Sequence, residues 1–152
     1  MHLTLAFIGY VPDARLDAAA EALGAAAADR SVIHCRLGSL GAFPNPRRPR
    51  VVWVGLAEGA ESVTASALAV RRELAARDVP FDDAPPVAHL TIGRLRDDVT
   101  GAERSALAQA VAGEAARVPP LDFDIDSTVL FESRLSPRGP SYFPKARVEL
   151  VR

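Results

Sequence analysis

Residues 2–8 form a short apolar run that alternates His2-Leu3-Thr4-Leu5 at its start, and Gly9 closes it; that pattern predicts a strand there. Pro12-Asp13 then opens a helix with Asp13 in the N-cap position and Leu16, Ala19, Ala20 and Leu23 as its apolar stripe. Gly24 either ends that helix or lets it run on to about Ala28. Residues 31–37 alternate loosely, and Val51-Val52-Trp53-Val54 reads as a buried strand with Trp53 in the core. Between them, Gly41 to Arg50 holds Pro44, Pro46 and Pro49, which predicts a rigid loop carrying Arg47, Arg48 and Arg50. Val63, Ala67, Val70 and Leu74 recur at helical spacing within a second helix over 62–77, with Arg71, Arg72 and Glu73 turned to water. Pro80, Pro85 and Pro86 fence off a strand at 87–92. Thr100 and Glu103 have capping-box spacing ahead of a third helix with the stripe Leu107, Ala110 and Val111, stopped by Pro119-Pro120. Strands near 122–131 and 142–151, separated by the turn 136–140, finish the chain. Helices and strands in this order give an α+β or mixed-sheet pattern, with short, proline-stiffened connections and no linker between independent domains.

Composition narrows the reading. A chain of 152 residues with 49% apolar and 24% charged residues is globular, as one domain or two small lobes. The formal charge of -1 offers no global field for a polyanion, so any nucleic-acid contact must be local. Seventeen arginines stand against the single Lys145, a bias that genome composition also produces. Cys35 is the one cysteine, which forbids an internal disulfide and reads as a buried strand residue. No stretch has membrane-span length and no secretory signal opens the chain, so a cytoplasmic protein without membrane association is expected.

The chemistry lies in a repeat. His2-Leu3-Thr4-Leu5 returns 87 residues later as His89-Leu90-Thr91-Ile92, and two of the three histidines occupy this context. On a strand, residues i and i+2 share a face, so each copy presents an imidazole beside a hydroxyl. Two such pairs facing one bound group can divide the work. One histidine takes a proton from the nucleophile and the other gives one to the leaving oxygen, while the threonines donate to non-bridging oxygens. In-line phosphoryl chemistry fits that supply. A zinc set lacks an acidic ligand, although His34 is a conceivable third donor, and no metal or other cofactor is expected. There is no Gly-x-Ser-x-Gly elbow and no phosphate loop of the Gly-x-x-x-x-Gly-Lys type. Arg94, five residues beyond His89, falls on the opposite face of a straight strand and reaches a phosphate only if the strand bends after Gly93.

The whole pattern resembles the two-histidine phosphoesterases, and among them the bacterial and archaeal RNA 2′,3′-cyclic phosphodiesterases, the 2′-5′ RNA ligase family. The resemblance rests on residues 2–9, on 40–44 with 47–55, on His89 to Arg94, and on 130–136 with 139–142, in family order. Ala88 stands where the family usually has proline, and family members usually carry an initial strand and helix before the first motif, which this chain is expected to lack. The resemblance implies an α+β fold, with 1–152 a single bilobal catalytic domain of two pseudo-symmetric lobes. Each lobe would hold antiparallel or mixed sheet with helices outside and one motif, around a central cleft. It further implies a monomer that opens RNA 2′,3′-cyclic phosphates to 2′-phosphomonoesters without a metal, with 2′-5′ ligation as the reverse chemistry. His2 would protonate the leaving O3′, His89 would activate water, and Thr4 and Thr91 would hold the non-bridging oxygens. The residues alone leave the direction of that pair open. Arg94, Arg47 and Arg48 would meet phosphates, and Phe43 and Tyr142 would stack on a base. Two alternatives remain: a module that binds RNA ends or nucleotides without turnover, and a phosphodiesterase of small cyclic nucleotides or 2′-5′ oligoadenylates.

Overall fold

The structure is a computed structural model and describes residues 2–113, 118–136 and 139–152. Pro137 and Arg138, in the expected turn 136–140, lie outside the described residues. Two sheets flanked by helices make an α+β fold, as expected, but the sheets are unequal. One has four strands in the order β3-β2-β1-β4, from β1 (Ile33–Phe43), β2 (Val51–Glu58), β3 (His89–Arg94) and β4 (Asp122–Ile125). The other is the hairpin β5 (Ser127–Ser136) and β6 (Gly139–Glu149). The chain divides into two compact units: Met1–Thr4, His34–Glu61 and Val87–Phe123 form the first, and Leu5–Ile33, Ser62–Pro86 and Asp124–Arg152 the second. Both His-x-Thr segments therefore fall in the first unit, rather than one in each.

Residues 2–8 are not a strand. Exposure alternates from His2 to Leu5, but neither sheet takes the segment in as a ladder member, and Leu5 is a bend. Beyond the bend, Leu5, Ala6 and Ile8 pack on the core of the second unit, and the Phe7 carbonyl accepts from the Asp82 amide (2.8 Å). Alternation supplies two faces; without a partner strand it does not supply a ladder.

In the second unit, Asp13–Arg15 form one 3-10 turn before α1 (Leu16–Ala27). Asp13 is inside that turn and caps nothing, a departure from the expectation caused by the Arg15 amide bonding back to the Pro12 carbonyl. The helix runs through Gly24. Ala19, Ala22, Leu23 and Ala26 pack on Ala69, Val70 and Leu74 of α2 (Ala60–Ala75), with Leu130 and Val148 of the hairpin against the same cluster. The small alanines let the helices approach, and the fully buried Leu74 and Val79 contribute about 1.5–3 kcal/mol each. Asp78 adopts a left-handed conformation after α2 (φ 53°), which an aspartate tolerates, and the Val79 amide returns to the Leu74 carbonyl. Arg15 Nη1 donates to the carbonyls of Arg77 and Asp78 just past the C-terminal end of the helix, a favourable place for a cation.

The first unit is built on three antiparallel strands. β1 extends through Phe43, so the proline loop begins at Pro44 and not at Gly41. Its helix α3 (Gly101–Ala112) starts on the expected capping box. Thr100 Oγ1 accepts from the Glu103 amide, and the Glu103 carboxylate accepts from the Thr100 amide. Val111 of α3 is buried and Leu107 half-buried, while Ala110, expected in the stripe, is exposed. The run expected as one strand over 122–131 breaks at Asp126 and feeds both sheets. Among the described residues no helix is long and apolar enough to cross a membrane.

Candidate active site

Register decides which side chains share a face. Gly41 and Phe43 of β1 lie opposite Trp53 and Val51 of β2, while Gly55 and Trp53 lie opposite His89 and Thr91 of β3. Residues directly paired point the same way, so Phe43, Trp53, His89 and Thr91 stand on one face of the sheet. Ala42 and Val54 on the other face are buried.

A bulge brings Arg94 to the same face. The β2–β3 register steps from Trp53↔Thr91 to Val52↔Gly93, which leaves Ile92 without a partner on β2. One extra residue inverts the parity of everything after it. Arg94 then pairs with Val51, two residues from Trp53, and joins the His89 face. The facing thus comes from a bulge ahead of Gly93, not from a bend after it.

His89 is held in place from two sides. Its Nδ1–H donates to the Val87 carbonyl oxygen at 2.6 Å, since a carbonyl can only accept, and Nε2 is left as the atom able to exchange a proton. The ring meets Phe43 edge-on, 5.0 Å between centroids, and Trp53 at 5.8 Å; Phe43 and Trp53 are 5.3 Å apart. Trp53 is thus no simple core residue, which corrects the sequence reading. Its indole lies flat across the sheet because Gly41 and Gly55 are neighbours on that face. A Cβ at Gly41 would come within 2.3 Å of the ring, and one at Gly55 within 3.3 Å. The two glycines sit one strand away and two residues along, so no window of sequence showed this floor.

The remaining expected site residues divide. Thr91 and Arg94 are exposed, as a substrate contact requires. His2 and Thr4, also exposed, are counted with the same unit. Arg47 and Arg48 are exposed in the turn between β1 and β2, where Asn45 Oδ1 accepts from both their amides at 3.1 Å. Tyr142 belongs to the second unit, on β6, with its ring 6.1 Å from that of Phe131. His34, the conceivable metal donor, lies 4.0 Å from Asp122, and among the described residues no three His, Cys, Asp or Glu side chains converge on a metal position.

Comparison with known proteins places this geometry. Residues 1–136 match the profile of the 2′-5′ RNA ligase superfamily. An RNA 2′,3′-cyclic phosphodiesterase of Aeropyrum pernix is 32% identical over 141 residues, which span 93% of this chain and 77% of the relative. That of Archaeoglobus fulgidus is 32% identical over 146 residues, 93% of this chain and 75% of the relative. The crystal structure of a Thermus thermophilus protein superposes with a TM-score of 0.74 at 26% identity, over 98% of this chain and 77% of the other. E. coli LigT complexed with 3′-AMP shares the fold, with a TM-score of 0.69 at 23% identity over 99% of this chain and 76% of its own. The chain belongs to the 2′-5′ RNA ligase superfamily, the two-histidine phosphoesterases, and is related at low identity to the RNA 2′,3′-cyclic phosphodiesterases of bacteria and archaea.

Proposed function

We propose that this protein hydrolyses RNA 2′,3′-cyclic phosphate ends to 2′-phosphomonoesters, using the two His-x-Thr motifs as acid and base. The observation that carries the reading is the His89 face. An imidazole with Nδ1 committed to a backbone carbonyl stands on the same side of the sheet as the Thr91 hydroxyl and the Arg94 guanidinium. A base, a neutral donor and a cation on one surface match a phosphodiester, whose transition state needs proton transfer and charge stabilisation around phosphorus. The names carried by the relatives from Aeropyrum pernix and Archaeoglobus fulgidus support the same chemistry. In this scheme His89 Nε2 takes a proton from water as its oxygen bonds to phosphorus. The P–O3′ bond breaks, and His2 gives its proton to O3′. Thr4, Thr91 and Arg94 hold the non-bridging oxygens. With a ribose 5′-hydroxyl in place of water as the nucleophile, the same ring opening forms a 2′-5′ phosphodiester: His89 takes the hydroxyl proton, P–O3′ breaks, and His2 protonates O3′.

The test is turnover of an oligonucleotide ending in a 2′,3′-cyclic phosphate, and of its analogue with sulfur replacing O3′, by wild type, His2→Ala and His89→Ala. Each variant is expected to lose about 10²–10⁴-fold in kcat/KM on the oxygen substrate. Sulfur leaves without protonation, so it should rescue His2→Ala and not His89→Ala. Rescue of His89→Ala alone inverts the assignment. Full activity of both variants refutes the mechanism.

A further inference from the structure

Arg104 stands in an unfavourable place for an arginine. It lies at the end of the first turn of α3, its amide closing that turn onto the Thr100 carbonyl at 3.0 Å. The helix dipole disfavours a cation there, and Glu103 of the capping box already supplies the acid that the position favours. Among the described residues no carboxylate pairs with its guanidinium. Neither helix stability nor ion pairing accounts for it. Its half-buried side chain instead crosses to the β1–β2 turn, where Nη1 donates to the Pro49 carbonyl at 3.0 Å. Pro49 is fully buried and has no N–H, so that carbonyl is its one backbone polar group, and leaving it unpaired would be costly.

The reach of this bond comes from the peptide plane it holds. The Pro49 carbonyl and the Arg50 amide belong to one rigid trans unit, with oxygen and hydrogen on opposite sides. Arg104 grips the oxygen, and the Phe43 carbonyl accepts from the amide at 2.8 Å. The following unit is tied as well, since the Leu95 amide donates to the Arg50 carbonyl at 2.9 Å. Phe43 and Val51 form the last pair of β1 with β2 before the turn, so the plane between Arg104 and Phe43 closes it. From there the imidazole is one contact away: the Phe43 ring lies 5.0 Å from that of His89, with the planes 83° apart. Without its donor, the buried Pro49 carbonyl turns toward water. The plane rotates as a whole, and its N–H leaves the Phe43 carbonyl.

We propose that Arg104 is a positioning residue of the His89 site, acting through the Pro49–Arg50 peptide on the place of the Phe43 ring. Only the kinetic arm of its test rests on the proposed reaction. In the intact chain, histidine ring-proton resonances are recorded at alkaline pH, where an ordinary imidazole is neutral, and the His89 signals are identified by their loss in His89→Gln. Arg104→Met keeps the aliphatic stem and removes the donor, whereas Arg104→Lys keeps a donor. The His89 signals are expected to move in Arg104→Met, as the ring current of Phe43 changes, and to return toward wild type in Arg104→Lys. On an oligonucleotide with a 2′,3′-cyclic phosphate end, kcat should fall about tenfold in Arg104→Met, with a smaller change in KM, and recover largely in Arg104→Lys. Arg72→Met, which loses an exposed pair with Glu73 in the other unit, should move neither readout. A lowered Tm with His89 signals and kcat at their wild-type values would make Arg104 merely structural and overturn the proposal. The same shift in Arg72→Met would overturn it too. Should Arg104→Met fail to fold, Arg104→Gln, whose amide is too short to reach Pro49, replaces it under the same criteria. Shifted His89 signals in a protein that turns over no cyclic phosphate would defeat the proposed reaction and leave the positioning role standing.

Discussion

Gly41→Ala adds one methyl group to a residue that touches no substrate, yet it should impair catalysis more than folding. The added Cβ would lie 2.3 Å from Trp53 Cζ2 and Cη2 and 2.7 Å from Cε2, on the body of a rigid ring and not the tip of a flexible chain. To regain an ordinary separation of at least 3.4 Å, the indole must retreat by about 1 Å. Phe43 and His89 both pack against the indole, so the displacement passes to the imidazole. Overpacking of this kind costs roughly 1–3 kcal/mol of stability. A misplacement of that size at a reacting group costs about 10²-fold in rate. The assay is kcat and KM on an oligonucleotide with a 2′,3′-cyclic phosphate end, with Tm measured alongside. Gly41→Ala should lose about 10–100-fold in kcat with little change in KM. Gly55→Ala, at 3.3 Å from the ring, should lose less than about threefold, because the neighbour has to give only by tenths of an ångström. Gly101→Ala, with nothing within 4 Å, controls for the substitution itself. If Gly41→Ala does not fold, Trp53→Phe carries the test by removing the second ring in place. A folded Gly41→Ala protein with a lowered Tm and unchanged kcat would refute the claim that the indole positions His89.

Three further outcomes follow from separate observations. Thr100→Ala removes the hydroxyl that accepts from the Glu103 amide, while the residue 100 amide still donates to the Glu103 carboxylate, and should cost about 1 kcal/mol; an unchanged denaturation midpoint would show that the side-chain cap contributes nothing. Hydrogen bonds from Arg134 and then Lys145 hold the Glu132 carboxyl down at about 2 against an ordinary 4.5. A folded-state value below the unfolded one gives stability that is present above about pH 4.5 and lost as pH falls toward 2. Glu132→Gln should therefore flatten the fall of Tm across that window, and parallel curves for variant and wild type would count against the pair. Hydrolysis should be indifferent to EDTA, because the proposed acid and base are imidazoles and no acidic set among the described residues accompanies them; activity lost to chelator and restored by one divalent ion would overturn that mechanism.

What a short window of sequence contains, it determined. Helical periodicity placed α2 and α3, Thr100 and Glu103 set the cap, and the β-branched run around Val52 and Val54 set β2, since each depends on neighbours within one or two turns of chain. The doubled His-x-Thr pattern, with the stretches 40–55 and 130–142, pointed to the family, because those residue types recur in a fixed order along the chain. Strand membership and facing were another matter. Residues 2–8 open with strand-like alternation and join no ladder, whereas 41–43, read as loop, are the end of β1. A ladder is a property of two segments, and only their pairing creates it. The same holds for the site. A bulge at Ile92 turns Arg94 to the His89 face, and glycines on neighbouring positions let Trp53 lie beneath Phe43 and His89. Register shifts by single residues and contacts across strands leave no periodic trace in sequence, so the tertiary structure alone decided which of the named residues meet.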